Sequence, residues 1–466
     1  MANHDRDNGR DGRDGRDGRD DVDTWLHDRI EPLPPPPGTF EAIRRRARRR
    51  KARKLAATVG AAVVVVTAAV TVPQVVNLQV ERGTPVAGQS PEKSASEATP
   101  TGTNGVEASA TAPIPLPAGN PVPPNFQPSS VTAVSATRVF TIGQAGTPGD
   151  CATQYCTSVA RTENAGQTWN GLPAPLTGAP DGSTGVGQIR FLEGINGWAF
   201  GPELWATHDG GEHWRRVATH GARVIDVETV GARAFALEAT CTGAGADFTG
   251  GCTKFTLYST PAKADDWTKV GAATTNLTTQ HAGAAAIVLT GARGYLLGPD
   301  GTLYAGPVNG TAGWAAVGAV PCATGTPQQD GQPSGALLGA LTATNLLLAC
   351  AQPPAGATQA KLVYTSVNGG KSWQQSSTPP TAGVATSIAA SPVNTVMVAT
   401  STGIAVLPAN GTWRQATLTG AVPAGGFSFV GMTTNTRGMA LPADATSGTV
   451  WFTIDGGATW SPSSVR

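Results

Sequence analysis

Hydrolysis of a glycoside would need two carboxylates facing one cleft. Five aspartates stand where a loop or strand could supply them: Asp150, Asp226, Asp247, Asp300 and Asp330. Asp300 and Asp330 are each followed by glycine and read as turn formers, whose side-chain oxygens bond nearby backbone N–H groups. Asp226 falls in a run that reads as an inner strand. Spacing singles out no pair, so no catalytic residue is assigned. No Gly-x-Ser-x-Gly elbow occurs, and His208 and His213 flank a turn, which argues against a serine hydrolase. Metal binding is disfavoured by the absence of Cys-x-x-Cys and by only six histidines, and no cofactor is expected. The six cysteines suit disulfides between nearest neighbours: Cys151 with Cys156, Cys241 with Cys252, Cys322 with Cys350. Three long loops, 146–157, 240–253 and 319–335, go with them. Tyr155 and Phe248 are the aromatics of the first two and become the candidate ligand-binding residues, because a stiffened loop loses less entropy on binding.

These loops must be carried by something, and a repeated turn shows what. Residues 453–460 read TIDGGATW, 207–214 THDGGEHW, 366–373 SVNGGKSW and 162–169 TENAGQTW. The Asp or Asn oxygen is expected to accept backbone N–H bonds two residues on, closing the turn. The glycine allows positive φ between twisted strands. The Ser or Thr hydroxyl adds a local bond. The tryptophan opens the next strand and inserts its ring between sheets.

These motifs resemble the Asp-box, or BNR, repeat of sialidase-like, sortilin-like and photosystem II assembly-factor-like β-propellers. The resemblance implies that the box joins the third and fourth strands of a blade, lies at the periphery and is structural. That role falls to Asn164, Trp169, Asp209, Trp214, Asn368, Trp373, Asp455 and Trp460. Sialidase activity does not follow. Arg138 lies in TRVFTIG, not in a Phe-Arg-Ile-Pro-like motif. Tyr155, Tyr258, Tyr295, Tyr304 and Tyr364 provide no Tyr–Glu nucleophile pair.

Degenerate copies end at Trp267, Trp314 and Trp413. The tryptophans then stand at 169, 214, 267, 314, 373, 413 and 460, which gives spacings of 45, 53, 47, 59, 40 and 47 residues. A four-stranded propeller blade takes about 40–50 residues. The expected fold is therefore all-β, a seven-bladed propeller of four-stranded antiparallel blades over 128–466, each blade complete in itself. Short apolar runs punctuated by Gly, Pro and Asn support it.

The rest of the chain is different. Residues 1–54 hold 15 of the 33 Lys and Arg and 11 of the 32 Asp and Glu, leaving 18 and 21 for the other 412 residues. That slightly acidic remainder argues against nucleic acid as a partner. RDGRDGRDGRD at 10–20 cannot bury a core and reads as a disordered tail. A basic run, 44–54, precedes an uncharged stretch at 55–76, long enough for about 20 residues to cross a bilayer. The expectation is an uncleaved signal anchor, with the N-terminus cytoplasmic and the propeller extracellular. Residues 77–127 form a Pro/Ser/Thr-rich linker. This layout resembles single-pass proteins of high-GC Gram-positive (actinobacterial) bacteria. The reading is a membrane-anchored, non-enzymatic binding or scaffolding module, with a cell-wall glycan or a protein at the loop face of the propeller. An extracytoplasmic glycoside hydrolase is the alternative. A further one is a sensor acting on a cytoplasmic regulator through Trp25, Leu26 and Ile30.

Overall fold

The computed structural model describes residues 116–146, 156–180, 184–241, 252–275, 285–322, 336–391 and 395–466. The tail, the stretch at 55–76, most of the linker, Tyr155, Phe248 and Cys151 lie outside the described residues. Among the described residues no helix is long and apolar enough to cross a membrane.

Seven antiparallel sheets follow one another along the chain, each made of four consecutive strands. The blades span 127–172, 188–217, 223–275, 286–319, 336–375, 385–415 and 427–464. The expected seven blades and their internal completeness are both observed. The last blade gains a fifth strand, Thr417–Leu418, which runs parallel to Thr459–Ser464.

Strand periodicity explains the core. Successive side chains point to opposite faces of a blade, and each face must be covered by the next blade. In Asn196–Phe200, Trp198 and Phe200 pack towards blade three, while Ala199 packs towards blade one. Among the described residues there are seven buried clusters, one for each junction between neighbouring blades. The ring therefore closes by side-chain packing. Trp169 of blade one meets Phe452 of blade seven at 6.3 Å between ring centroids, and its Nε1 donates to Ser463 Oγ at 3.0 Å.

The four repeated turns share one hydrogen-bond pattern. The hydroxyls of Thr162, Thr207, Ser366 and Thr453 donate to Oδ1 of Asn164, Asp209, Asn368 and Asp455 at 2.9, 2.8, 3.0 and 2.9 Å. The same hydroxyls accept the N–H of Gly166, Gly211, Gly370 and Gly457 at 2.9, 3.0, 2.9 and 2.9 Å. The Asp or Asn oxygen takes an N–H four residues on, from Thr168, His213, Ser372 and Thr459, instead of two. Two successive residues of positive φ curl the chain far enough for this. Even Ala165 adopts φ 55° at the first of them. The second must be glycine for another reason too. A Cβ at Gly370 would lie 2.2 Å from Leu303, and one at Gly457 2.6 Å from Met397, both on the preceding blade.

Thr453→Val removes the acceptor for the Gly457 N–H and the donor to Asp455. A loss of about 1–2 kcal/mol is expected, read from the urea midpoint. An unchanged midpoint would mean that the turn is held by its backbone alone.

Residues 116–126, assigned to the linker on sequence grounds, lie against blade one. Asn120 exchanges backbone bonds of 2.8 and 2.6 Å with Gly171 of the outer strand. Arg161 Nη2 donates to the Pro117 carbonyl at 2.6 Å, and Phe126 is buried between blades seven and one. Prolines at 117, 121, 123 and 124 remove the N–H groups that would extend this pairing into a ladder.

Candidate functional site

Antiparallel blades put their turns on two faces. The repeated Trp turns, between third and fourth strands, occupy one. The second-to-third-strand loops and the connections between blades occupy the other. The eight residues assigned to the turns lie on the first face, away from the second. Two of the expected disulfides lie on it. Cys241–Cys252 ties the root of the loop in blade three, and Cys322–Cys350 ties the connection between blades four and five to blade five. Cys156 is also disulfide-bonded. Of the loop aspartates, Asp300 is a turn former whose Oδ1 accepts the Thr302 N–H at 3.0 Å, and Asp226 lies on the inner strand Arg223–Val230. Asp150, Asp247 and Asp330 lie outside the described residues.

A cleft of about 600 Å³ opens on the second face between blades two and three. Its walls are the Pro202–Glu203 turn, the connection through Arg216, Thr219 and Arg223, and Cys241. Sequence reasoning missed it, although charge density pointed there. Residues 184–275 carry 18 charged side chains in 92 positions, and 285–432 only six in 148.

Glu203 is 7% exposed. Its Oε2 accepts Thr177 Oγ1 at 2.6 Å and Trp205 Nε1 at 3.1 Å, and its Oε1 meets Arg216 Nη2 at 2.9 Å. Burial alone would raise its pKa. The hydrogen bonds from Thr177 and Trp205, with the Arg216 charge, hold it below the ordinary carboxylate value.

Behind the wall formed by Thr219 and Gly221 sits a second carboxylate, Glu238, only 2% exposed. It accepts the His220 backbone N–H at 3.2 Å and faces His220 Nδ1 at 3.3 Å. Burial raises the Glu238 pKa against the bonds from His220. The imidazole lies flat on Tyr258, 3.9 Å between centroids and 3° between planes. A buried carboxylate on Nδ1 and a stacked ring together fix the orientation of the imidazole.

Two further charged groups hold the same pair of blades together. Arg190 Nε bonds Glu228 Oε1 at 2.9 Å on the inner strands. On the opposite face, the largely buried Asp265 joins His208, Arg215 and Trp198. Burial opposes ionisation of Asp265, but the His208 hydrogen bond and the His208 and Arg215 charges lower its pKa.

Fold and cleft thus define a seven-bladed β-propeller with a polar concavity on its loop face. No protein-family model matches the chain, and no curated protein matches it. Solved propeller structures are similar to it at low identity. YCF48 bound to a D1 peptide is 14% identical, with a TM-score of 0.45 over 73% of this chain and 99% of that one. YCF48 from Cyanidioschyzon merolae is 16% identical, with a TM-score of 0.41 over 62% and 86%. A GH74 enzyme from Niastella koreensis is 12% identical, with a TM-score of 0.36 over 73% and 66%. These likenesses concern the fold alone.

Proposed function

We propose that the chain is a membrane-anchored, extracytoplasmic Asp-box propeller that binds a cell-wall glycan or a protein without chemically changing it, at the cleft between blades two and three. The cleft itself carries this reading, because its volume falls within the range of about 300–1,000 Å³ usual for ligand sites. Both carboxylates at the cleft are consumed by internal partners, which suits recognition better than proton transfer. The uncharged stretch at 55–76 behind a basic run supports the anchor, and the four shared turns support the Asp-box assignment.

The test uses the full-length chain in detergent on an array of cell-wall glycans, with mass spectrometry of the eluates. Ala218 is exposed in the cleft wall, so Ala218→Trp should fill the cleft without disturbing the core. Intact glycans should elute from the native chain, and binding should fall at least about tenfold in the variant. Shortened glycans would instead establish a hydrolase. Binding equal in the two proteins would remove the cleft from the reading.

A further inference from the structure

The charged groups around the cleft are not arranged symmetrically. Glu203 faces inward, with Thr177, Trp205 and Arg216 on its two oxygens. Glu238 faces inward as well, against His220. Arg216 is the reverse: its side chain is 63% exposed, and Nη2 meets Glu203. A guanidinium carries five N–H donors in a rigid fork, so one edge can be anchored while the rest are offered to a ligand. Glu203 stays ionised and holds the fork in place before any ligand arrives, which lowers the entropic cost of binding.

The other surfaces of the cleft define what could accompany such a charge. Leu204 and Val217 belong to the buried core between the blades. Besides Pro202, Arg223 and Cys241, what remains at the wall is Ala218, Thr219, Gly221 and Ala222, all small side chains. Peptide recognition usually depends on a large apolar or aromatic anchor seated in a pocket. Among the described residues no aromatic side chain lines this cleft. A hydroxyl-rich ligand fits better, because backbone N–H and C=O groups and Thr219 can bond its hydroxyls.

We propose that the cleft recognises an acidic saccharide, with Arg216 receiving the carboxylate of a uronic-acid unit. This rests on the cleft being the binding site, as proposed above. Arg216 acts by direct contact, and Glu203 positions it. Arg and carboxylate meet through two parallel N–H···O bonds, a geometry that lysine cannot reproduce.

The test is calorimetry on the full-length chain in detergent, with trigalacturonic acid, its carboxyl-reduced trisaccharide and a tri-aspartate peptide as probes. The acidic saccharide should bind, and carboxyl reduction should weaken binding at least about tenfold, since hydrogen bonds to charged groups are among the stronger ones. Arg216→Gln should cause the same loss for the acidic probe and little for the reduced one. Because Arg216→Gln leaves Glu203 short of a partner, Arg216→Lys serves as the second variant. It keeps the charge and should bind with intermediate affinity. Equal binding of acidic and reduced probes, failure of the acidic probe to bind, or tighter binding of the peptide would each overturn the proposal. If Ala218→Trp blocks a bound saccharide while Arg216→Gln does not, the cleft stands and the acidic assignment fails. If Ala218→Trp has no effect, both fail.

Discussion

Lys361→Met is expected to destabilise the propeller by about 3–5 kcal/mol, read as a fall in the denaturation midpoint. Lys361 opens the strand Lys361–Ser366 of blade five and is 1% exposed. Its ammonium donates to the carbonyls of Gln359, Pro380, Thr381 and Ala382 at 2.9, 3.0, 3.3 and 3.3 Å. Three of those carbonyls belong to the connection between blades five and six, so one side chain fastens that connection to the preceding blade. Burial lowers the pKa of the amine, because desolvation penalises the charged form. Methionine matches the side chain as far as Cε and supplies none of the donors. The carbonyls of Gln359, Pro380 and Ala382 would then lose the ammonium to an apolar group, while Thr381 keeps the Gln359 N–H at 2.8 Å, and buried polar groups without partners are costly. Lys371→Met is the control. Lys371 is exposed in the turn of the same blade, and its replacement should leave the midpoint unchanged. Equal midpoints for both variants would show that water or a rearranged connection replaces the ammonium at little cost.

Lys361 also shows where sequence reasoning stops. The blades were legible because a propeller writes itself repeatedly: a tryptophan about every 50 residues, a turn before it, short apolar runs between. Trp198 and Phe200, two residues apart, share one face of a strand that is buried on both. The adjacent cysteines could be paired because short separations leave few alternatives. Lys361 has no repeat to expose it, since its four acceptors are backbone groups and carry no sequence signature. The cleft was hidden for a related reason. Glu203 and Arg216 meet across neighbouring strands of blade two, and His220 meets Glu238 only when blade three is laid on blade two. A partial signal existed in Glu238, a lone carboxylate within the apolar run of Arg233–Cys241, and in the charge density of blades two and three. In the repeated turn, side-chain chemistry identified the right atoms. It placed the accepted N–H two residues too early, because two successive positive-φ residues curl the chain more tightly than one.

Asp226→Ser is expected to stabilise the propeller by about 2–4 kcal/mol at pH 8 and to change little at pH 4. The inner strands of blades one, three and six each carry a bulge, at Ser129, Ile225 and Thr386. The residue after the bulge then accepts an N–H from the inner strand of the next blade. Ser130 takes Ile189 at 3.3 Å and Ser387 takes Val430 at 3.4 Å. In blade three the same place holds Asp226, whose Oδ2 takes the Ile287 N–H at 2.9 Å. A carboxylate therefore occupies the position that a hydroxyl fills in blades one and six. Burial, and then the neighbouring Glu228 charge, push its pKa up to about 7, against the opposing effects of Arg190 and the Ile287 N–H. In the unfolded chain the group titrates near its ordinary value of about 3.9. Between those values the folded state binds a proton that the unfolded state has lost, so stability falls as pH rises, and the whole cost is present above the folded pKa. At about 1.36 kcal/mol per pH unit, a gap of about three units sets an upper limit near 4 kcal/mol. Serine keeps an acceptor for Ile287 and leaves Arg190 paired with Glu228. Asp226→Asn, which also keeps an acceptor without the charge, should move in the same direction. Guanidinium midpoints at intervals from pH 4 to pH 8.5 decide the matter. The native and serine curves should converge at the acid end and separate towards the alkaline end. Parallel curves would mean that Asp226 is ionised throughout and that its place beside Glu228 costs the fold nothing.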